Sequence, residues 1–286
     1  MMHAMAYATG WVLPRGVRRD IKRVPRQDGS SIKVEVFRPE NAAGPLPVVL
    51  HLHGGGYAIG APRQDYRLFA RLMAARPSII VAPHYRRSLE EPYPAALDDC
   101  HDVLLWLKTD AAALGATDHP AMVMGLSAGG GLAAALCLLS RDRGTGSIGA
   151  MFTVGAMLDH RTFTTDIDPA NLSWSAGKNR LAWRLYLDGE PATPYAAPSC
   201  AGDLTDLPPA FGIAGDCDLF HAENVDYFSR LADAGVAAEF HSVAGGYHGV
   251  EVFAPAAEPG RTMSGLIGDV FGKAIGTCLS RDPVQP

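Results

Sequence analysis

The chain has 286 residues, 48% hydrophobic and 19% charged, with a mean hydropathy near zero. That is the composition of a globular protein able to bury a large core, and it excludes a disordered or fibrous chain. A net charge of −5 and a pI near 6.0 argue against nucleic acid as the main partner, because phosphate binding wants a basic face.

No run approaches the roughly eighteen apolar residues that a membrane span requires. The N-terminal stretch MMHAMAYATGWVLPRGVRR has no basic region followed by an apolar one, so no signal peptide is expected. Cys100, Cys137, Cys200, Cys217 and Cys278 are odd in number, scattered and without a CxxC pair. They fit reduced thiols in a cytoplasmic protein, not a disulfide framework or a cysteine nucleophile.

In chain order, Ile32 to Phe37 alternates as a half-buried strand should, and Leu46 to Leu52 is an apolar run ending at a glycine cluster. Gln64 to Ala75 has helical spacing and Ser78 to Pro83 reads as a strand. Ala95 to Leu107 is a helix with acidic residues in its first turn, where the macrodipole favours them. Ala121 to Leu126 (strand), Ala128 to Leu139 (helix) and Ile148 to Gly155 (strand) follow. An irregular stretch, Asp159 to Pro198, is rich in Trp, Tyr, Pro and Thr. Alternation resumes with strands at Ala210 to Ala214 and Ala237 to Val243, and helices at Ala222 to Ala234 and Met263 to Cys278. Strands alternating with helices predict one α/β domain over residues 1–286, with a mostly parallel sheet covered on both faces.

The chemistry starts at Gly125-Leu126-Ser127-Ala128-Gly129, a G-x-S-x-G sequence between a strand and a helix. A sharp turn there lifts the serine hydroxyl clear of the sheet, and side chains at the flanking glycines would clash. The rival reading is a tight turn with an incidental serine. His53-Gly54-Gly55-Gly56 follows the apolar run Val48 to Leu52. Bare glycine N–H groups suit a tetrahedral oxyanion, so Gly54 and Gly55, with Ala128, are expected to form an oxyanion hole. A phosphate loop would need a Walker lysine or G-x-G-x-x-G, and neither is present.

A serine nucleophile needs a base and an orienting acid, in the order Ser, Asp or Glu, His on this type of sheet. Downstream of Ser127 stand only His160, His221, His241 and His248. His248 lies in a glycine-flanked loop directly after a strand, where a reaching imidazole belongs. His241 lies within the strand. For the acid, Asp216 and Asp218 both follow a strand, with a mild preference for Asp218 because Asp216 can cap a turn. His51 and His53, two apart on a strand, lack a third ligand, so no metal or cofactor is expected. Asp98 and Asp99 read as helix-start and loop hydrogen bonders. Trp174, Trp183 and Tyr186 line an acyl pocket or form core, and Tyr57 and Leu126 are expected at the substrate.

Taken together, these motifs resemble the hormone-sensitive-lipase-like family of α/β-hydrolase esterases. His53 to Gly56 is similar to its oxyanion motif, and Gly125 to Gly130 to its nucleophile motif. Tyr85-Arg86 with Glu90, then Pro92 to Asp99, is similar to the stretch between them. Asp218-Leu219-Phe220 with Glu223 resembles its acid motif, which makes Asp218 the catalytic acid, and Tyr247-His248-Gly249 its histidine motif. The chain departs at Leu126, where Asp or Thr is usual, and at Arg87-Ser88-Leu89, where Leu-Ala-Pro is usual.

The resemblance implies the α/β-hydrolase fold with a small cap, drawn from residues 1–23 and 159–198. It implies a serine carboxylesterase with the triad Ser127, His248 and Asp218, acting on a small-molecule ester, and a homodimer paired through C-terminal strands and helices. An amidase or peptidase on the same fold, or a binding protein that has lost catalysis, are the alternatives. The bulky cap residues Phe163, Leu172, Trp174, Trp183 and Tyr186, with Tyr7 and Trp11 opposite, predict a small closed pocket suited to short- to medium-chain acyl groups.

Overall fold

The apolar runs become the strands of a single sheet in the computed structural model, which describes residues 12–26, 28–145, 148–162 and 173–282. The strands are β1 (Val17–Pro25), β2 (Ser31–Pro39), β3 (Val48–Leu52), β4 (Ile79–Pro83), β5 (Ala121–Leu126), β6 (Ile148–Val154), β7 (Ala210–Gly215) and β8 (Ala238–Val243). Their order is β1-β2-β4-β3-β5-β6-β7-β8. From β4 to β8 every pairing is parallel, while β2 is antiparallel to β1 and β4.

Residue alternation sends the two strand faces into two separate cores. Val48, Leu50 and Leu52 join the core under α2 (Ala95–Asp110) and α3 (Ala128–Arg143). Val49, Met122 and Met124 join the core under α1 (Tyr66–Ala75) and the C-terminal helix Glu258–Leu279. Helix α3 is apolar almost all round because it is buried on nearly every side. It stops at Gly144, whose φ of +59° is the left-handed cap conformation glycine adopts without strain.

Two expectations change. Residues 17–23, expected to serve the cap, form most of the edge strand β1 instead. Its sequence VRRDIKRVP is mostly charged, as suits an edge strand that must not template aggregation, and that hides the apolar alternation. The stretch 159–198 was expected to be irregular, yet it contains a twelve-residue helix, α4 (Ala176–Leu187), whose N-cap Ser175 accepts from the Lys178 N–H. Its buried positions Asn179, Ala182, Trp183 and Tyr186 follow the helical spacing i, i+3, i+4, i+7. A polar Asn179 inside and a half-exposed Leu181 outside obscure that spacing in the sequence. Tyr7, Trp11, Phe163 and Leu172 lie outside the described residues.

A buried carboxylate ties β2 to α1. Glu35 accepts hydrogen bonds from the Tyr66 hydroxyl (2.5 Å) and His84 Nε2 (2.7 Å), and Arg19 bonds Tyr66 in turn (2.7 Å). Burial alone would push the Glu35 carboxyl up, but these hydrogen bonds outweigh it and hold its pKa at about 2. Glu35→Gln should cost about 1–3 kcal/mol at neutral pH, the usual range for breaking charge-assisted bonds at a buried site. The folded pKa lies below the unfolded value of about 4.3. The contribution is therefore complete above that value and is lost as pH falls toward about 2. Melting temperatures of wild type and variant should converge over this window, and a gap that stays constant into acid would refute the assignment.

Candidate active site

Strand β5 ends at Leu126 and α3 begins at Ala128, so the whole reversal falls on Ser127. Its backbone sits at φ 55°, ψ −123°, a conformation L-residues rarely adopt. Close approach makes the flanking glycines obligatory. A Cβ on Gly125 would lie 2.0 Å from the Gly129 carbonyl oxygen, and one on Gly129 would lie 2.0 Å from the Leu52 oxygen. The turn is clamped to the neighbouring strand, since Ser127 N–H donates to the Val154 carbonyl (2.9 Å) and Met157 N–H donates to the Ser127 carbonyl (3.0 Å).

His248 and Asp218, the expected base and acid, lie in the loops after β8 and β7. His248 Nε2 lies 2.9 Å from Ser127 Oγ, and its Nδ1 lies 2.8 Å from Asp218 Oδ2. The other Asp218 oxygen accepts the Phe220 N–H (3.0 Å), and the carboxylate is buried. Asp216 behaves differently. It is exposed and accepts the Gly245 N–H (2.8 Å), tying the acid loop to the histidine loop. Burial works against a protonated His248, but Asp218 outweighs it, aided by Glu251, and holds the imidazole pKa above its ordinary value.

The glycine loop lies on the other side of Ser127. A Cβ on Gly54 would lie 3.2 Å from Ser127 Cβ. The Gly54 carbonyl accepts from His53 Nδ1 (2.8 Å) and Gln64 Nε2 (3.2 Å). A trans peptide holds C=O and N–H on opposite sides, so this grip turns the Gly55 N–H away from His53. The N–H groups of Gly54, Gly55 and Ala128 have no backbone acceptor among the described residues. His53 itself stacks on Tyr85 (4.2 Å), and burial lowers its pKa to about 4, so it stays neutral. His51 faces elsewhere and bonds Asp65 (2.9 Å).

These groups open on a cavity of about 320 Å³, with Gly54, Gly55, Ser127 and His248 in its wall. Of the residues expected at the substrate, Leu126 and Trp174 line it, and Trp174 packs over Gly56. Tyr57 and Trp183 do not. Tyr57 is buried, stacked on Tyr186 at 3.9 Å, and donates to the Met157 carbonyl (2.9 Å). Trp183 packs beside it (5.3 Å) as core beneath the cap. Both are large and apolar enough to be drawn into the core, and proximity to a motif in sequence does not set which way a ring points. Asp99 is fully buried and held by Arg26 and Arg86.

Among the cavity residues that the sequence reading does not single out, two stand beside the imidazole. Glu251, in the short helix α6 (Val250–Phe253), lines the cavity three positions after the histidine. Gly155, at the end of β6, sits behind the acid and base. A Cβ there would lie 2.9 Å from Asp218 Oδ2 and 3.2 Å from His248 Nδ1, at a φ of +52°. Its position at the C-terminal end of a parallel strand was the available signal. Gly155→Ala should therefore displace the acid–base pair and lower kcat about 10- to 100-fold, the effect expected of a misplacement near 1 Å. Steady-state kinetics on folded variant check this, and an unchanged kcat would show that the pair tolerates the added methyl.

Comparison with known proteins agrees with this architecture. Residues 49–252 match a protein family described by the alpha/beta hydrolase fold. The chain is 33% identical over 242 residues to carboxylesterase NlhH of Mycobacterium tuberculosis, covering 82% of this chain and 76% of that protein. Among solved structures it resembles a bacterial heroin esterase (TM-score 0.87, 30% identity, 96% of this chain and 89% of that one). It also resembles brefeldin A esterase, a bacterial homologue of human hormone-sensitive lipase (TM-score 0.85, 26% identity, 98% and 84%). A family match over most of the chain, joined to 33% identity with a carboxylesterase over 82% of it, means that the chain belongs to the α/β-hydrolase family, as a carboxylesterase of its hormone-sensitive-lipase-like branch.

Proposed function

We propose that Ser127, His248 and Asp218 carry out the hydrolysis of small-molecule carboxylic esters through an acyl-enzyme. The observation behind this reading is the continuous path from Asp218 Oδ2 through the imidazole to Ser127 Oγ, in contacts of 2.8 and 2.9 Å. Ser127 Oγ attacks the ester carbonyl while His248 Nε2 takes its proton. Asp218 holds the Nδ1–H and stabilises the imidazolium. The oxyanion accepts hydrogen bonds from Gly54, Gly55 and Ala128 N–H groups. His248 then protonates the departing alcohol. Water, deprotonated by His248, attacks the acyl-enzyme and regenerates Ser127.

The mild negative charge supports a function without nucleic acid. Five free cysteines, three of them buried, support a reducing compartment such as the cytoplasm. No helix among the described residues is long and apolar enough to cross a membrane.

Ser127→Ala should lower kcat by about 10⁴-fold or more while leaving the fold intact, because triad members act as a unit. Asp218→Asn should cripple turnover by stabilising the wrong imidazole tautomer. Asp216→Asn should mainly lower the melting temperature, since Asp216 only bridges two loops. If the two asparagine variants swapped behaviour, Asp216 would be the acid.

Acyl length should have an optimum. Each methylene that finds room in the cavity contributes roughly 0.8 kcal/mol, and one that meets packed side chains costs about 1–3 kcal/mol. With about 320 Å³ available, kcat/KM for p-nitrophenyl esters should rise from acetyl to butyryl or hexanoyl and then fall. A profile still climbing at dodecanoyl would mean that the cavity continues as an open groove.

A further inference from the structure

The charge on the cavity wall is lopsided. Asp65, Asp218 and Glu251 all line it, against one ammonium group, Lys178. Two of the three carboxylates are matched within the protein, Asp218 by His248 and Asp65 by His51. Lys178 spends its ammonium on the Ser173 carbonyl (3.0 Å). Glu251 is different. Its Oε2 is buried and has no hydrogen-bond partner among the described residues.

A buried carboxylate oxygen without a donor is costly, and more so when the group is charged. Two events relieve it: protonation, or arrival of a donor with the opposite charge. Burial already pushes the Glu251 carboxyl up, and Asp218 and Asp65 add to the shift, against a hydrogen bond from its own backbone N–H and the pull of His248. Any anionic substituent brought into this wall would raise the cost further. A cation would lower it for all three carboxylates at once.

The position of Glu251 assigns the part of the substrate it meets. His248 Nε2 must hand its proton to the departing oxygen, so the alcohol portion leaves past the imidazole. The helix Val250–Phe253 begins two residues after His248, and its Glu251, Val252 and Phe253 line the same cavity as the imidazole. We propose that Glu251, together with Asp65, is a specificity determinant selecting esters whose alcohol portion carries a protonated amine. This rests on Ser127 acting as an ester-cleaving nucleophile in the same cavity.

The test uses two esters of nearly the same shape, 2-(dimethylamino)ethyl acetate, protonated at neutral pH, and 3-methylbutyl acetate, in which a C–H replaces the N–H⁺. The quantity read is the ratio of their kcat/KM values in wild type and in Glu251→Gln, so the esters' different intrinsic reactivities cancel. The ratio should fall about tenfold in the variant, equivalent to about 1.4 kcal/mol of lost discrimination. An unchanged ratio overturns the proposal. A wild-type measurement guards against a misfolded variant. 2-(Dimethylamino)ethanol should inhibit turnover of the neutral ester about tenfold more strongly than 3-methylbutanol, and equal inhibition also overturns the proposal. Turnover of the neutral ester with no amine preference leaves the hydrolase reading standing. Turnover of neither ester removes both.

Discussion

The site depends on one steric constraint, the reversal of the chain at Ser127 between a buried strand and a buried helix. The backbones of β5, α3 and the glycine loop approach so closely that no Cβ fits at Gly125 or Gly129. A serine held at φ 55° stores strain on the order of 1–3 kcal/mol. That strain persists because hydrogen bonds to Val154 and Met157 bind the turn to the next strand and the segment after it. The same crowding brings Gly54 to within contact of Ser127, so nucleophile and glycine loop are positioned by a single piece of packing.

Two buried histidines show how environment divides labour within this site. His53 is buried with backbone and aromatic partners, and burial outweighs the Gly54 carbonyl and Asp65, lowering its pKa to about 4. It serves as a neutral brace for the Gly54 carbonyl. His248 is less completely buried, and a carboxylate at 2.8 Å reverses the balance and lifts its pKa. One imidazole is thereby kept neutral and the other is made more basic, as the base proposed for Ser127 must be.

The cavity is assembled from segments far apart in sequence. The glycine loop after β3 supplies one wall, the turn after His248 another, and the cap residues Trp174 and Lys178 a third. The Ser173 hydroxyl bonds the His248 carbonyl, so the cap is fastened to the loop that carries the imidazole. Beneath the cap, Tyr57, Trp183 and Tyr186 form an aromatic stack that supports α4 without reaching the cavity. Cap position, pocket shape and imidazole placement are thus mechanically linked.

Much of this was legible in the amino-acid order. Short apolar runs with helical segments between them specify a parallel sheet, because buried strands and amphipathic helices carry different periods. Gly125 to Gly129 and His53 to Gly56 announce their turns locally, since only glycine tolerates such close backbone approach. The charged edge strand β1 and the helix α4 were not legible, because edge position and a buried Asn179 suppress the apolar pattern. Between Asp216 and Asp218, spacing alone gave a mild lean and the motif resemblance a choice; only the tertiary structure shows which carboxylate is buried against His248 and which sits in solvent bridging loops. The same holds for Tyr57 and Trp183 turning inward, and for Gly155 and Glu251 standing beside the imidazole. Those outcomes depend on contacts that span up to 129 residues, as between Tyr57 and Tyr186, and local sequence encodes backbone conformation but not which distant side chains will share a wall.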